Sequence, residues 1–204
     1  MGFDIYGVDP VVRSQRPERP KDRDLFHGSS PASRAIRDEY WEDMREYEDS
    51  NPGVYFRRSV WGWRPLWECV NQFTDALTDE DFKHGCFNDG HMIPKDVAVQ
   101  VAADLTEALE TGKVATYLKE RTERIDGIPD RTCERCKGSG REPAKLEVLE
   151  GQAMQGLFGV RPEPCRSCNG SGKQQSWESM YGMEEQCVEE FRTFCAESGG
   201  FKIC

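Results

Sequence analysis

Phe3 and Ile5 alternate with Asp4 and Tyr6 near the start of the chain, the period-two pattern of a half-buried strand over residues 1–8. From Pro10 to Arg23 that pattern disappears. Pro10, Pro17 and Pro20 are interspersed with Arg13, Arg16, Arg19, Lys21 and Arg23. So little apolar surface cannot order a segment, and an extended or mobile arm is expected over about residues 9–28. A helical period starts after Ser29 and Ser30, either of which can cap a helix with Pro31 in its first turn. Ile36, Tyr40, Met44 and Tyr47 share one face of it, acids crowd the other, and Asn51-Pro52-Gly53 ends it. The stripe reads as core packing, with a docking face as the alternative.

Residues 54–73 are dense in aromatic side chains. Pro65 is expected to open a helix that turns Leu66, Cys69, Val70, Phe73 and Leu77 inward. Trp61, Trp63 and Trp67, with Arg64 among them, are either anchors of a small core or a binding surface that stacks a ligand. Thr78 with Asp81 three residues on resembles a capping box for a short helix ending at Gly85, and Asn88-Asp89-Gly90 is a turn. Pro94 opens a helix to about Leu109 with Val97, Val101, Leu105 and Ala108 inward, and a second follows from Val114 to Ile125. Residues 127–175 break the period. It returns at Met183, Cys187, Val188, Phe191, Phe194 and Cys195, stops at Gly199 and Gly200, and leaves Phe201–Cys204 as a final strand able to pair with residues 2–6. The pattern predicts an α+β, mainly helical chain: a small helical domain over 1–126 with a short terminal β pairing, an inserted module over 127–175, and a helix and strand over 176–204 that return to the core.

Composition narrows the partners. The 204 residues are 37% hydrophobic and 31% charged, with a formal net charge of -10 and a mean hydropathy of -0.75. Such an acidic chain disfavours nucleic acid and anionic membranes, which are bound through clustered Lys and Arg. Asp4 interrupts the N-terminus before any apolar run, which is not the pattern of a signal peptide. Tyr6 replaces the Ser or Thr of a myristoylation signal, and Cys204 is not placed for prenylation. A cytoplasmic protein is expected, in which the nine cysteines stay reduced and paired ones hold metal more often than disulfides.

Cys133-Glu134-Arg135-Cys136-Lys137-Gly138-Ser139-Gly140 and Cys165-Arg166-Ser167-Cys168-Asn169-Gly170-Ser171-Gly172 are an internal repeat. Two residues between cysteines let one tight turn present both sulfurs to a single ion at about 2.3 Å, and two such turns complete a tetrahedron. Gly138 and Gly170 follow each second cysteine, where the chain turns sharply and backbone N–H groups face sulfur, and Gly140 and Gly172 complete the two knuckles. One Zn2+ per chain, held by Cys133, Cys136, Cys165 and Cys168, is therefore expected. The interval from Cys136 to Cys165 is long for such pairs, yet its extra closure entropy over a loop of about 18 is only about 0.4 kcal/mol, against about 10 kcal/mol for zinc binding in small domains. A redox Cys-x-x-Cys is the competing reading and would want a βαβ context absent from the pattern.

The repeat Cys-x-x-Cys-x-Gly-x-Gly resembles the cysteine-rich zinc domain of DnaJ-type chaperones, and both copies match it throughout. In that family four repeats make two zinc sites and the module assists binding of unfolded protein. Two repeats here imply one site, over roughly a fifth of the chain, and the His-Pro-Asp signature of the J domain is missing. The remainder resembles uncharacterised small proteins of bacteriophages and bacterial genomes. The likeness lies in Gly2-Phe3-Asp4-Ile5-Tyr6-Gly7, Tyr55-Phe56-Arg57, Trp63-Arg64-Pro65-Leu66-Trp67, Phe87-Asn88-Asp89-Gly90-His91 and Ser198-Gly199-Gly200-Phe201-Lys202-Ile203-Cys204. It implies a phage or bacterial origin, and the bacterial cytosol as the compartment.

His84, Cys86 and His91 lie close in sequence and form a candidate second metal site, with a structural turn as the alternative. Cys69, Cys187 and Cys195 sit on apolar helical faces and read as small hydrophobes. No Ser-His-Asp set, phosphate loop or His-Glu-x-x-His occurs, and no catalytic residue is nominated. A four-thiolate site has no open position, which favours structure over catalysis. The expected function is therefore a zinc-binding, non-catalytic protein-interaction or adaptor factor with a protein partner. One alternative is a nucleic-acid-binding zinc protein. The segment Asp130–Lys173 holds eight Lys or Arg against six Asp or Glu, but four thiolates on zinc add about -2. The other is a thiol oxidoreductase or chaperone-like protein using the Cys-x-x-Cys pairs.

Overall fold

The structure, a computed structural model, describes residues 2–142 and 163–204. Residues 143–162, the middle of the expected insertion, lie outside it. Seven α-helices and six short strands are found among the described residues, an α+β and mainly helical arrangement. The chain divides into two compact units, Met1–Glu120 with Tyr181–Cys204, and Arg121–Met180. No helix among the described residues is long and apolar enough to cross a membrane.

In the first unit β1 (Gly2–Gly7) is central to an antiparallel sheet. β2 (Tyr55–Ser59) pairs on one side of it with Phe3 opposite Arg58 and Ile5 opposite Phe56. On the other side β6 (Phe201–Ile203) pairs with Ile5 opposite Ile203, and β3 (Met92–Ile93) completes the order β2-β1-β6-β3. Period two therefore sends Phe3, Ile5, Phe201 and Ile203 to one buried face. Against that face pack α3 (Val60–Phe73), α5 (Lys95–Glu110) and α7 (Glu185–Glu197), which bury Leu66, Val70, Val101, Leu105, Phe191 and Phe194 completely. Of the inward positions expected for these helices, Leu66, Cys69, Val70, Val101, Leu105, Ala108, Val188, Phe191, Phe194 and Cys195 are buried, whereas Phe73, Val97 and Cys187 are only partly so.

Caps fix the helix starts. Ser30 accepts from the Ser33 N–H at 3.1 Å to open α2 (Pro31–Ser50). Thr78 and Asp81 exchange side-chain bonds with each other's backbone in a full capping box on α4 (Asp79–His84). One start differs from expectation. α3 begins five residues before Pro65, at Val60, with the Ser59 hydroxyl accepting from Gly62 N–H at 3.3 Å. Pro65 lies inside the helix, near enough to its start that only one intrahelical bond, to the Trp61 carbonyl, is forgone. Further on, α6 (Lys113–Asp126) follows the turn at Gly112, whose φ of 71° suits glycine.

The expected arm over 9–28 has no helix or strand as far as residue 22, and it is tied to the core at several points. Val11 N–H donates to the Glu197 carbonyl at 2.8 Å, and the Arg13 N–H donates to Oδ1 of buried Asn51 at 2.5 Å. Both Arg13 guanidinium ends reach the Glu197 carboxylate, at 2.5 and 2.8 Å. Farther along, α1 (Arg23–His27) buries Phe26, whose ring meets Tyr40 of α2 edge-on at 5.5 Å. Polar anchors and one aromatic ring order a segment that has no apolar period. Its composition carries no signal of them.

The second unit is built around β4 (Arg131–Thr132) and β5 (Lys173–Gln174), which pair antiparallel, followed by a 3-10 turn at Trp177–Met180. An isolated bridge joins Arg141 to Pro164. Its core is a separate cluster made of the four sulfur-bearing side chains.

Candidate metal centre

β4 leads directly into the first Cys-x-x-Cys turn and β5 leads directly out of the second, so one short ladder brings the two turns together. Each turn is made by the same local chemistry. Lys137 and Asn169 adopt φ of 52° and 49°, Gly138 and Gly170 follow at 87° and 85°, and Gly140 and Gly172 at 70° and 73°. Ser139 and Ser171 each donate a hydroxyl bond to the carbonyl of the second cysteine of their turn, Cys136 or Cys168, at 2.8 Å. The turns then bond reciprocally: Cys133 N–H donates to the Gly172 carbonyl and Cys165 N–H to the Gly140 carbonyl, both at 2.9 Å. A Cβ on Gly140 would fall on the Gly170 carbonyl oxygen, and one on Gly172 on the Gly138 carbonyl oxygen. The identical positions of the repeat are thus the ones that a two-fold backbone embrace requires.

This embrace buries all four cysteines and brings their sulfurs within 4.8 Å of one another. Cys133 and Cys165 sulfurs stand 3.8 Å apart, and those of Cys136 and Cys168 3.7 Å. A disulfide needs about 2.05 Å, and all four are free thiols. A tetrahedron with about 2.3 Å from centre to sulfur has edges of about 3.8 Å, so the spacing is that of a four-thiolate shell around one ion. The cluster can hold a metal ion, and among the described residues it is the sole group of metal-binding side chains so gathered.

Backbone dipoles prepare the sulfurs unequally. Gly172 N–H points at the Cys168 sulfur at 3.3 Å. Loss of water pushes the Cys165 thiol up to about 11, and the neighbouring sulfurs add to that rise. At Cys136 loss of water acts the same way, but the Gly140 and Gly138 N–H groups and the neighbouring thiols outweigh it and bring the thiol down to about 6. Glu142 was not expected to contribute. Its carboxylate pairs with the Arg135 guanidinium, which holds it below the usual range, and it accepts the Arg166 N–H at 3.2 Å. One carboxylate so joins both turns. Only its place two residues past Gly140 marks it in the sequence.

The other nominated residues fall elsewhere. Trp63 and Trp67 are corrected from binding surface to core: both are buried, stacked at 5.3 Å, with Phe3 on Trp63 at 5.5 Å. Their indole N–H groups donate to the carbonyls of Gly85 at 2.7 Å and Phe82 at 3.0 Å, which removes the cost of burying a polar indole edge. Trp61 stays 41% exposed and lies on Tyr181 at 4.8 Å, and exposed Arg64 reaches the Tyr181 hydroxyl at 3.3 Å. His84, Cys86 and His91 do not bring their donor atoms to one point. His84 Nδ1 bonds Asp89 at 2.5 Å, His91 Nε2 bonds Asp81 at 2.7 Å, and Cys86 donates to the Phe82 carbonyl at 3.5 Å. The two imidazoles stack at 4.8 Å, so the aspartates, not an ion, organise this turn.

Comparison with protein-family models, curated proteins and solved structures finds no match for the chain.

Proposed function

We propose that the chain is a zinc protein whose single ion is structural, and that it acts as a non-catalytic protein-interaction or adaptor factor in a bacterial cytosol, in the setting of phage infection. The observation that carries the zinc assignment is the pair of sulfur separations, 3.8 and 3.7 Å, in a shell of four thiols that no oxygen or nitrogen ligand joins among the described residues. Soft thiolates in a tetrahedron select zinc over the hard cations, and four of them leave no open position for a reacting water. The resemblance of the repeat to the DnaJ-type zinc module supports protein interaction in place of catalysis, and the net charge of -10 favours a protein over a nucleic acid as the partner.

Metal analysis of the purified chain tests the first part. One zinc per chain, with a cobalt-substituted form showing strong thiolate-to-metal charge-transfer bands, is the expected result. Less than half an equivalent, or spectra of an octahedral oxygen site, would sink it. For the second part, the native chain and a Cys133→Ser/Cys165→Ser variant are used as baits in bacterial lysate. A partner retained by the first and lost by the second is expected; no partner for either counts against an adaptor.

A further inference from the structure

A concave site lies in the first unit and is lined by none of the residues discussed for metal binding. A cleft of about 340 Å³ opens between the end of the sheet and one face of α2. Tyr6 and Tyr55, opposite each other in the β1–β2 register, supply one wall with ring centroids 5.2 Å apart. Tyr40 and Trp41 supply the other, 5.1 Å apart, over a floor of buried Met44. Unlike Trp63 and Trp67, these rings are not used up by the core: Trp41 is 54% and Tyr6 47% exposed. The Tyr55 hydroxyl donates to Asp4, which fixes the orientation of its ring.

The charged groups at the rim define the guest. Arg16 and Arg57 both line the cleft, and two guanidiniums beside the rings favour an anionic group over the bare cation that an aromatic cage would otherwise take. Arg57 already lies 3.4 Å from Asp4; Arg16 interacts electrostatically with the Glu48 carboxylate, but no hydrogen bond or close ion pair among the described residues holds its guanidinium, which can therefore turn to a guest's anion. Glu48, half-buried on the same face of α2, presents carboxylate oxygens that accept from ring N–H groups. A planar heterocycle with N–H donors, joined to a phosphate, satisfies rings, carboxylate and guanidinium at once. A fully apolar guest would engage the rings but neither Glu48 nor Arg16.

We propose that this cleft binds one nucleotide unit, its base stacked on Trp41 and Tyr6, its phosphate on Arg16. The unit is either a free mononucleotide or one residue of a single strand. Calorimetric titration of the full-length, zinc-loaded chain distinguishes these sources, with GMP as one probe and an octanucleotide of deoxythymidine as the other. Saturable binding of GMP identifies the free nucleotide; binding of the octanucleotide alone, weakening steeply with salt, identifies the strand. In either case Trp41→Ala is expected to weaken binding about tenfold to a hundredfold, as loss of one base-stacking ring does, and Arg16→Ala about tenfold. Both side chains are exposed, so the variants should keep the native circular dichroism and melting temperature. Absence of saturable binding by both probes up to about 10 mM, on the weak side of the millimolar affinity scale, overturns the proposal. So does ribose 5-phosphate binding as well as GMP, full retention of affinity in Trp41→Ala, or capture of free phenylalanine in place of either nucleotide.

Discussion

Gly140 and Gly172 face carbonyl oxygens of the opposite turn across the metal centre, at separations that admit no side chain. Their positive φ adds a conformational cost to any substitution. Gly140→Ala should therefore lower metal affinity about tenfold to a hundredfold, the range seen when the support of a metal site is disturbed. Competition with a chromophoric chelator measures this, and unchanged affinity would show that the backbones can part without cost. At the same scale, Trp63→Phe leaves the Gly85 carbonyl unpaired in the core and should cost about 1–3 kcal/mol in urea unfolding. Trp61→Phe, at a half-exposed ring, should stay within about 0.5 kcal/mol. The sequence alone marks the cysteines and glycines because tight turns restrict residue type at fixed offsets. It does not separate Trp61 from Trp63 and Trp67, since indoles serve core and surface equally. Only the helix phase does, and that phase is hidden when the start is placed at Pro65 in place of Val60.

Among the elements, α4 has the most explicit start. Its capping box holds Asp81, whose carboxyl is pushed up by burial but held below its ordinary 3.8 by the stronger combined pull of the Thr78 hydroxyl, His91 and the Thr78 N–H. A carboxyl depressed in the folded state contributes stability that is whole above its unfolded value and is lost as pH falls through the folded one. Wild-type stability should accordingly fall as pH drops below about 4, the ordinary carboxylate range, and Asp81→Asn should flatten that part of the curve. A slope unaltered by Asp81→Asn would assign acid sensitivity to other carboxylates. Thr78→Ala should cost about 1 kcal/mol at neutral pH. Caps and periods were legible because they are local: Ser30, Thr78, and the inward faces of α5 and α7 lie where the pattern puts them. The strap over residues 9–28 was not, because Arg13 meets Asn51 and Glu197 from remote parts of the chain.

At the scale of the molecule the two clusters of buried side chains are distinct, one around α3, α5 and α7, the other only the four cysteines. Among its described residues the second unit has no apolar core to fall back on, so their order should depend on the ion. Chelation is expected to abolish amide protection across Cys133–Gly140 and Cys165–Gly172 while leaving Val101, Leu105 and Phe191 protected within about tenfold, as independent stability units would be. Simultaneous loss in both regions would show one cooperative structure. The terminal β pairing bears on how this chain is made. β1 lies between β2 and β6, and Asp4 and Cys204, from opposite ends of the sequence, bond each other's backbones in both directions at 2.8 Å. During synthesis β1 therefore leaves the ribosome long before its second neighbour exists, and its open edge must be shielded or wait. The two cysteine turns, by contrast, need no partner later in the sequence than Gln174, so the metal unit can close on an ion without waiting for β6.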